Sequence, residues 1–123
     1  MLIDWEKLPT VTAGMQPGAS RKGVCGDKLS MVLVTTEAGA TFDGVTHWHD
    51  NEQLLVMIKG WITLSVDGKV FDVHAGESAF FPPGSRHAAL GCAPEGCVYY
   101  EIFAPARPDQ LPGWIGASPL RFD

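Results

Sequence analysis

The sequence has little of what a membrane protein, a secreted protein or a nucleic-acid-binding protein needs. No apolar run approaches the roughly 18 residues of a membrane-spanning helix. No basic segment followed by an apolar one opens the chain, so we predict no signal peptide. The net charge is −5, and of nine lysines and arginines only Arg21 and Lys22 are adjacent, which argues against a nucleic-acid partner.

Cysteine is also scarce, with only Cys25, Cys92 and Cys97. An odd count without a secretion signal favours reduced thiols and a cytoplasmic location. Cys92 and Cys97 flank the turn sequence 93–96 and would lie opposite each other in a hairpin. A labile disulfide between them is therefore the alternative to two reduced thiols.

The remaining pattern is that of one compact β domain. The chain has 123 residues, of which 46% are hydrophobic and 19% charged, as in an ordinary globular domain. Asp67-Gly68 is a strong hairpin turn between two alternating segments, and Pro82-Pro83-Gly84 forces another turn. We predict strands at 29–36, 53–59, 61–66, 69–73, 78–81, 88–92 and 97–103. Short strands punctuated by glycine and proline predict an all-β, jelly-roll-like barrel.

Four potential metal ligands lie in two short segments, namely His47, His49 and Gln53 in the first and His87 in the second. Imidazole is the commonest protein ligand of divalent transition metals. Side chains two residues apart on a strand point to the same face, so His47 and His49 would point together. Gln53 shares their parity in a continuous strand whereas Glu52 does not. We therefore predict the set with Gln53 rather than Glu52.

These two segments resemble the paired motifs of the cupin superfamily, also called RmlC-like proteins. The second motif is matched without a gap by Gly76, Pro82, Gly84 and His87. The first motif departs from the usual pattern in two ways. Gln53 stands where most members have Glu, and seven residues instead of five separate Gly39 from His47. Gly91 also stands where Asn often ends the second motif. The resemblance implies a single cupin domain over 1–123, with a barrel core at about 29–104 and arms that pack on the barrel or on a partner in a homodimer.

A closer resemblance is to the small cupins of pectin and alginate breakdown. It rests on the segment from Gly18 through Arg21, on the HWHDNEQ core and on the terminal strand from Tyr100 to Arg107. Those proteins use a His-His-Gln-His metal site and open 4,5-unsaturated uronates to linear keto sugars. The resemblance implies a catalytic acid at Glu101, where Asp is usual, and a functional aromatic residue at Phe103.

The residues give Glu101 independent support. It shares parity with Tyr99 and Phe103, so an inward face would put a carboxyl group in the barrel, where burial raises its pKa. The alternative is that a bulge turns it outward to a surface cation. Arg21 could hold a substrate carboxylate through its planar fork, or could be an exposed strand cation. We assign His74 to solvent and Trp48 to packing.

Neutral ligands leave the charge of a divalent ion uncompensated, which favours Lewis-acid chemistry over a purely structural site. We expect one ion per chain, of Mn, Fe, Ni or Zn. The leading hypothesis is a metal-dependent lyase or isomerase that acts on a small oxygenated, carboxylated molecule such as a sugar acid. The alternatives are a quercetinase-like dioxygenase and a non-catalytic metabolite-binding cupin.

Overall fold

The structure, a computed structural model, describes all 123 residues and contains eight strands and two short 3-10 helices. The strands are β1 Ala19–Cys25, β2 Ser30–Glu37, β3 Glu52–Lys59, β4 Trp61–Val66, β5 Lys69–His74, β6 Ser78–Phe81, β7 His87–Cys92 and β8 Gly96–Ala104. The 3-10 helices are Trp5–Lys7 and Pro108–Gln110. All seven predicted strands are present, with bounds that differ by a residue at most at either end.

The strands form two antiparallel sheets that face each other. The larger sheet has the order β1-β2-β8-β3-β6 and the smaller one β5-β4-β7. The last strand, β8, lies in the middle of the larger sheet between β2 and β3, so its inward face looks into the centre of the molecule. This arrangement confirms the predicted all-β jelly-roll class.

One strand was not predicted. β1 contains Ser20, Arg21 and Lys22, and lies at the edge of the larger sheet, where it pairs with β2. After Ala19 its residues are all half-buried, and the sequence does not alternate apolar and polar residues. The pattern that predicts a strand is therefore absent.

The core lies between the sheets and is supplied by inward-facing positions of both. Twelve buried residues form it: Val32, Val34, Leu55, Met57, Ile62, Leu64, Val73, Ala79, Phe81, Cys97, Tyr99 and Phe103. Burying one large apolar side chain of this kind contributes roughly 1.5–3 kcal/mol relative to exposure. The core therefore fixes β3 and β8, the strands that carry Gln53 and Glu101.

Both arms pack on the chain's own barrel. Trp5 lies against Tyr100 with ring centroids 5.5 Å apart, and Lys22 donates to the Trp5 carbonyl at 3.0 Å. Near the other end, Arg121 pairs with Trp48. All three cysteines are free thiols. Neither 3-10 helix is long or apolar enough to cross a membrane.

Candidate metal centre and its cavity

The two histidine segments are joined by backbone pairing. His47 and His87 form an isolated antiparallel bridge, in which each N–H donates to the other's carbonyl at 3.0 and 2.9 Å. Their ring centroids lie 4.5 Å apart, and the rings of His49 and His87 lie 5.0 Å apart. The structure thus brings together three imidazoles from segments that are 40 residues apart along the sequence.

Each of the three rings is held by a backbone carbonyl at Nδ1. The acceptors are Val45 for His47 at 3.2 Å, Asn51 for His49 at 3.1 Å and Ser85 for His87 at 2.9 Å. Because a carbonyl only accepts, Nδ1 must carry the proton, and in the neutral ring Nε2 then has a free lone pair. Metal-binding histidines in proteins are commonly oriented in this way.

The Nε2 lone pairs lack protein donors. His87 Nε2 is buried and has no hydrogen-bond partner. His49 Nε2 lies 3.0 Å from Oε1 of Gln53, whose Nε2 donates to Glu101, so two acceptor atoms face each other. Such a contact is unfavourable between neutral groups and is relieved by a cation bound to both. The donor set therefore fits a divalent metal ion, although no three His, Cys, Asp or Glu side chains form a preformed ion-binding cluster.

The charge state of the rings agrees with this fit. Burial lowers the pKa of His47 and of His49 below the ordinary value of 6.5. For His87, burial and then the neighbouring His47 lower the pKa to about 4. The imidazoles are consequently neutral at pH 7, which is the form that binds metals.

The parity argument that selected Gln53 assumed a continuous strand from His47, and the structure has no such strand. Residues 49–51 are irregular, with the His49 ring donating from Nδ1 to the Asn51 carbonyl and Asn51 donating from Nδ2 to the Pro105 carbonyl at 2.6 Å. Gln53 is nevertheless buried, at 5% exposure, and Glu52 faces solvent.

Beside the rings is a cavity of about 210 Å³. Its lining includes His47, Gln53, His87, Glu101 and Phe103. Glu101 thus faces inward. Burial raises the pKa of its carboxyl to about 7, against the opposing effects of Arg107, Arg21 and the Gln53 amide. A carboxyl group with such a pKa can both donate and accept a proton near neutral pH.

Arg21 also lines this cavity and is half-buried, so it is not an exposed strand cation. Its Nε donates to the Gln110 carbonyl at 2.9 Å, while its two terminal nitrogens have no acceptor in the protein. Burial, and next to it the charge of Arg107, lowers its pKa. A guanidinium with free donors in a partly buried site is suited to binding an anion.

The turn after β8 adds two cavity residues that the sequence did not reveal. Arg107 lies over the Phe103 ring at 4.9 Å and forms a buried ion pair with Asp109 at 2.9 Å. Gln110 is 6% exposed, and its Oε1 has no hydrogen-bond partner. Both side chains line the cavity, although they come from a proline-rich stretch with no periodicity to mark them.

Phe103, His74 and Trp48 lie in three different environments. Phe103 is 1% exposed, with its ring 5.8 Å from that of His49, so it forms part of the wall behind the imidazoles. His74 is exposed and pairs with Glu77 at 3.1 Å. Trp48 does not line the cavity, and its ring packs against two arginines, Arg86 and Arg121.

Residues 32–103 match the family model described as the cupin domain. The match spans more than half of the chain, and the chain therefore belongs to the cupin family. No protein of curated function gives a significant match.

Solved structures agree with this assignment. An RmlC-like cupin from Shewanella frigidimarina is 30% identical, with a TM-score of 0.73 over 85% of this chain and 89% of that one. KdgF from Halomonas sp. is 22% identical, with a TM-score of 0.74 over 86% and 94% of the two chains. A variant of oxalate decarboxylase from Bacillus subtilis is 18% identical, with a TM-score of 0.70 over 84% of this chain but only 29% of that one. The last two similarities show the shared fold alone.

Proposed function

We propose that this cupin is a metal-dependent enzyme of lyase or isomerase type that acts on a small hydroxylated carboxylic acid. The observation that carries the proposal is the hydrogen bond from the Gln53 amide to Glu101. It joins a side chain of the metal-binding set directly to a carboxyl group able to transfer a proton. His47, His49, Gln53 and His87 would hold one divalent ion, which when bound would act as a Lewis acid toward a substrate oxygen.

The other side chains of the cavity define the substrate. The free donors of Arg21 suit a carboxylate, whereas the charge of the neighbouring Arg107 is offset by its ion pair with Asp109. The unpartnered Oε1 of Gln110 suits a hydroxyl donor. Part of the cavity wall is apolar and consists of Leu55, Ile62 and Phe81, which offer no hydrogen-bond partners to a substrate. A sugar acid has this combination of one anionic end and several hydroxyl groups.

Ring opening of a 4,5-unsaturated uronate is the specific reaction that we propose. The sequence resemblance to the pectin and alginate cupins supports it, and so does a cavity with one acid and one free anion-binding group. Glu101 would take the proton from the anomeric hydroxyl as the bond between C1 and the ring oxygen breaks. The enolate left at C5 would then receive that proton from Glu101 at C4, giving the linear keto acid. The steps exchange one proton and need no oxidant.

The test is whether the protein converts an unsaturated uronate. The reaction is measured as the loss of the ultraviolet absorbance of the substrate's double bond. Protein freed of metal by chelation and reloaded with Mn, Fe, Ni or Zn should open the ring faster than buffer alone, whereas Glu101→Gln protein should not. Oxygen consumption with a polyphenol substrate and a redox metal would favour the dioxygenase instead. Stoichiometric uronate binding without turnover would favour a binding protein.

We also propose a homodimer. The outward faces of β3 and β6 carry Leu54, Ile58 and Phe80, which are 39%, 50% and 51% exposed, and Leu54 pairs with Phe80 across the two strands. Covering this strip with a second copy would remove apolar surface from water. Light scattering on a sizing column would measure the mass, and replacing Phe80 with Glu should shift a dimer to monomer.

A further inference from the structure

Residues 120–123 contact the segment that carries two of the proposed metal ligands. Trp48, between His47 and His49, exchanges two backbone hydrogen bonds with Arg121, both of 2.8 Å. His47 pairs on the opposite side with His87. Residues 47–48 therefore form the middle of a three-stranded arrangement rather than an edge, and the C-terminal pairing supplies one of its two sides.

Side chains reinforce this pairing. The Trp48 ring contacts two guanidinium groups, with Arg86 4.4 Å and Arg121 4.7 Å from the ring centroid. The indole Nε1 donates to Asp123 at 3.2 Å, and Arg121 pairs with Asp50 at 3.3 Å. The two cation–π contacts and these polar contacts together restrain the ring. We name this set of Trp48, Arg86, Arg121 and Asp123 the Trp48 clamp.

The clamp acts on the ligands through the backbone. A rotation about the φ or ψ angle of Trp48 would move the flanking His47 and His49 relative to each other. The paired backbone and the restrained ring together limit these angles. Two neighbours of Arg121 also approach the site, since Phe122 lies 6.2 Å from the His47 ring and Leu120 lines the cavity.

We propose that the Trp48 clamp is a positioning element for the metal site, which sets the relative orientation of His47 and His49 from outside the ligand set. This inference rests on the metal site proposed above. The Trp48 clamp would raise the affinity for the metal ion, since ligands that are already oriented lose less freedom when the ion binds. Loss of outer-shell partners of metal ligands typically costs 10–100-fold in metal affinity.

The experiment compares Trp48→Ala and Arg121→Pro with the wild type. Trp48→Ala removes the indole ring, and Arg121→Pro removes the backbone N–H that donates to the Trp48 carbonyl. Trp114→Ala is the matched control, because this tryptophan is 46% exposed in the same arm and does not line the cavity beside the rings. Zn²⁺ and Mn²⁺ dissociation constants are measured by calorimetry on chelator-treated protein, together with the Tm of the metal-free form.

We expect both clamp variants to bind metal roughly 10–100-fold more weakly than wild type and the control to bind it equally well, with the metal-free proteins still folded. Trp48→Phe, which keeps an aromatic face but loses the N–H donor, should fall in between and guards against unfolding of the alanine variant. Wild-type affinity in the folded variants, or a lowered Tm with unchanged affinity, would overturn the inference. Wild-type protein that binds no metal would instead count against the metal site itself.

Discussion

The amide nitrogen of Gln53 donates a hydrogen bond to the carboxylate of Glu101. This relationship gives a physical reason for an amide at a position where most cupins have a carboxylate. A glutamate at position 53 would place two carboxylates in contact, and like charges at that distance resist joint ionisation. An amide offers an oxygen to a metal on one side and a donor to the acid on the other.

Gln53→Glu should therefore retain metal but lose about tenfold or more in turnover. The added carboxylate is a good metal ligand, while its charge would raise the pKa of Glu101 further and remove the donor that orients it. Metal content and kcat are measured together on the same preparation. Full activity in this variant would show that the contact between the two side chains is dispensable.

His49→Ala and His87→Ala should each lose most of the bound metal. Both residues are nearly fully buried, and each offers an Nε2 that has no protein donor. Elemental mass spectrometry on protein purified without added metal is the measurement. His74→Ala is the control, since that ring is exposed and pairs only with Glu77. Unchanged metal in either of the first two variants would remove that residue from the ligand set.

Glu101→Gln should keep the metal and lose about 100-fold or more in turnover, the scale expected when a general acid–base is removed. The amide preserves the shape of the side chain but cannot exchange a proton. Glu95→Gln serves as the control because Glu95 is exposed on the turn before β8. Glu101→Asp should retain part of the activity, because it keeps a carboxyl group able to exchange a proton on a shorter side chain. Undiminished turnover in Glu101→Gln would exclude the residue from the chemistry.

His87 should lower the stability of the metal-free protein as the pH falls from about 6.5 to about 4. Burial lowers the pKa of His87 from 6.5 to about 4, so in this range the unfolded chain binds a proton that the folded chain does not. His87 thus contributes about 3 kcal/mol to the free energy of unfolding above pH 6.5. This contribution is lost as the pH drops through the pKa of His87 in the folded protein. Glu101 acts oppositely, because its pKa is raised.

Comparison with His87→Gln isolates the histidine from these other groups. Urea unfolding of both chelator-treated proteins, at pH 7.5 and at pH 4.5, gives the difference in free energy of unfolding. The wild type should lose more stability than the variant on acidification. Equal losses of stability in the two proteins would mean that folding does not lower the pKa of His87.

Gly60→Ala should destabilise the fold by about 2 kcal/mol or more, because it adds crowding to an unfavourable backbone conformation. Gly60 joins β3 to β4 with a φ of +78°, and an added Cβ would lie 2.6 Å from the Gly96 carbonyl oxygen. Gly76 has a φ of +87° with nothing within 4 Å of an added Cβ. Gly76→Ala should therefore cost only the roughly 1–2 kcal/mol of left-handed backbone. Thermal unfolding of the two variants separates crowding from backbone conformation, and equal losses would contradict the crowding argument.

The sequence allowed seven of the eight strands to be predicted, from short apolar or alternating runs bounded by glycine and proline. The inward side of β8 followed from the shared parity of Tyr99, Glu101 and Phe103. It did not allow Arg107 and Gln110 to be recognised. These residues lie in the turn after β8, where the position of each side chain depends on long-range contacts such as that between Arg21 and the Gln110 carbonyl. The break at 49–51 was missed for the same reason, since it depends on the carbonyl of Pro105.

The seven residues between Gly39 and His47, 40–46, have no regular secondary structure. Within this stretch Phe42 packs against the core and the Val45 carbonyl accepts from the His47 ring, whereas the bridge from His47 to His87 and the contact of His49 with Gln53 lie outside it. A residue added beside Thr41, which is exposed, is therefore expected to be tolerated better than the loss of Phe42. A single residue inserted at 50–51 would instead lengthen the link between His49 and Gln53, whose side chains meet at 3.0 Å, while the pairing of Gln53 with Phe81 and Phe103 keeps the amide in place.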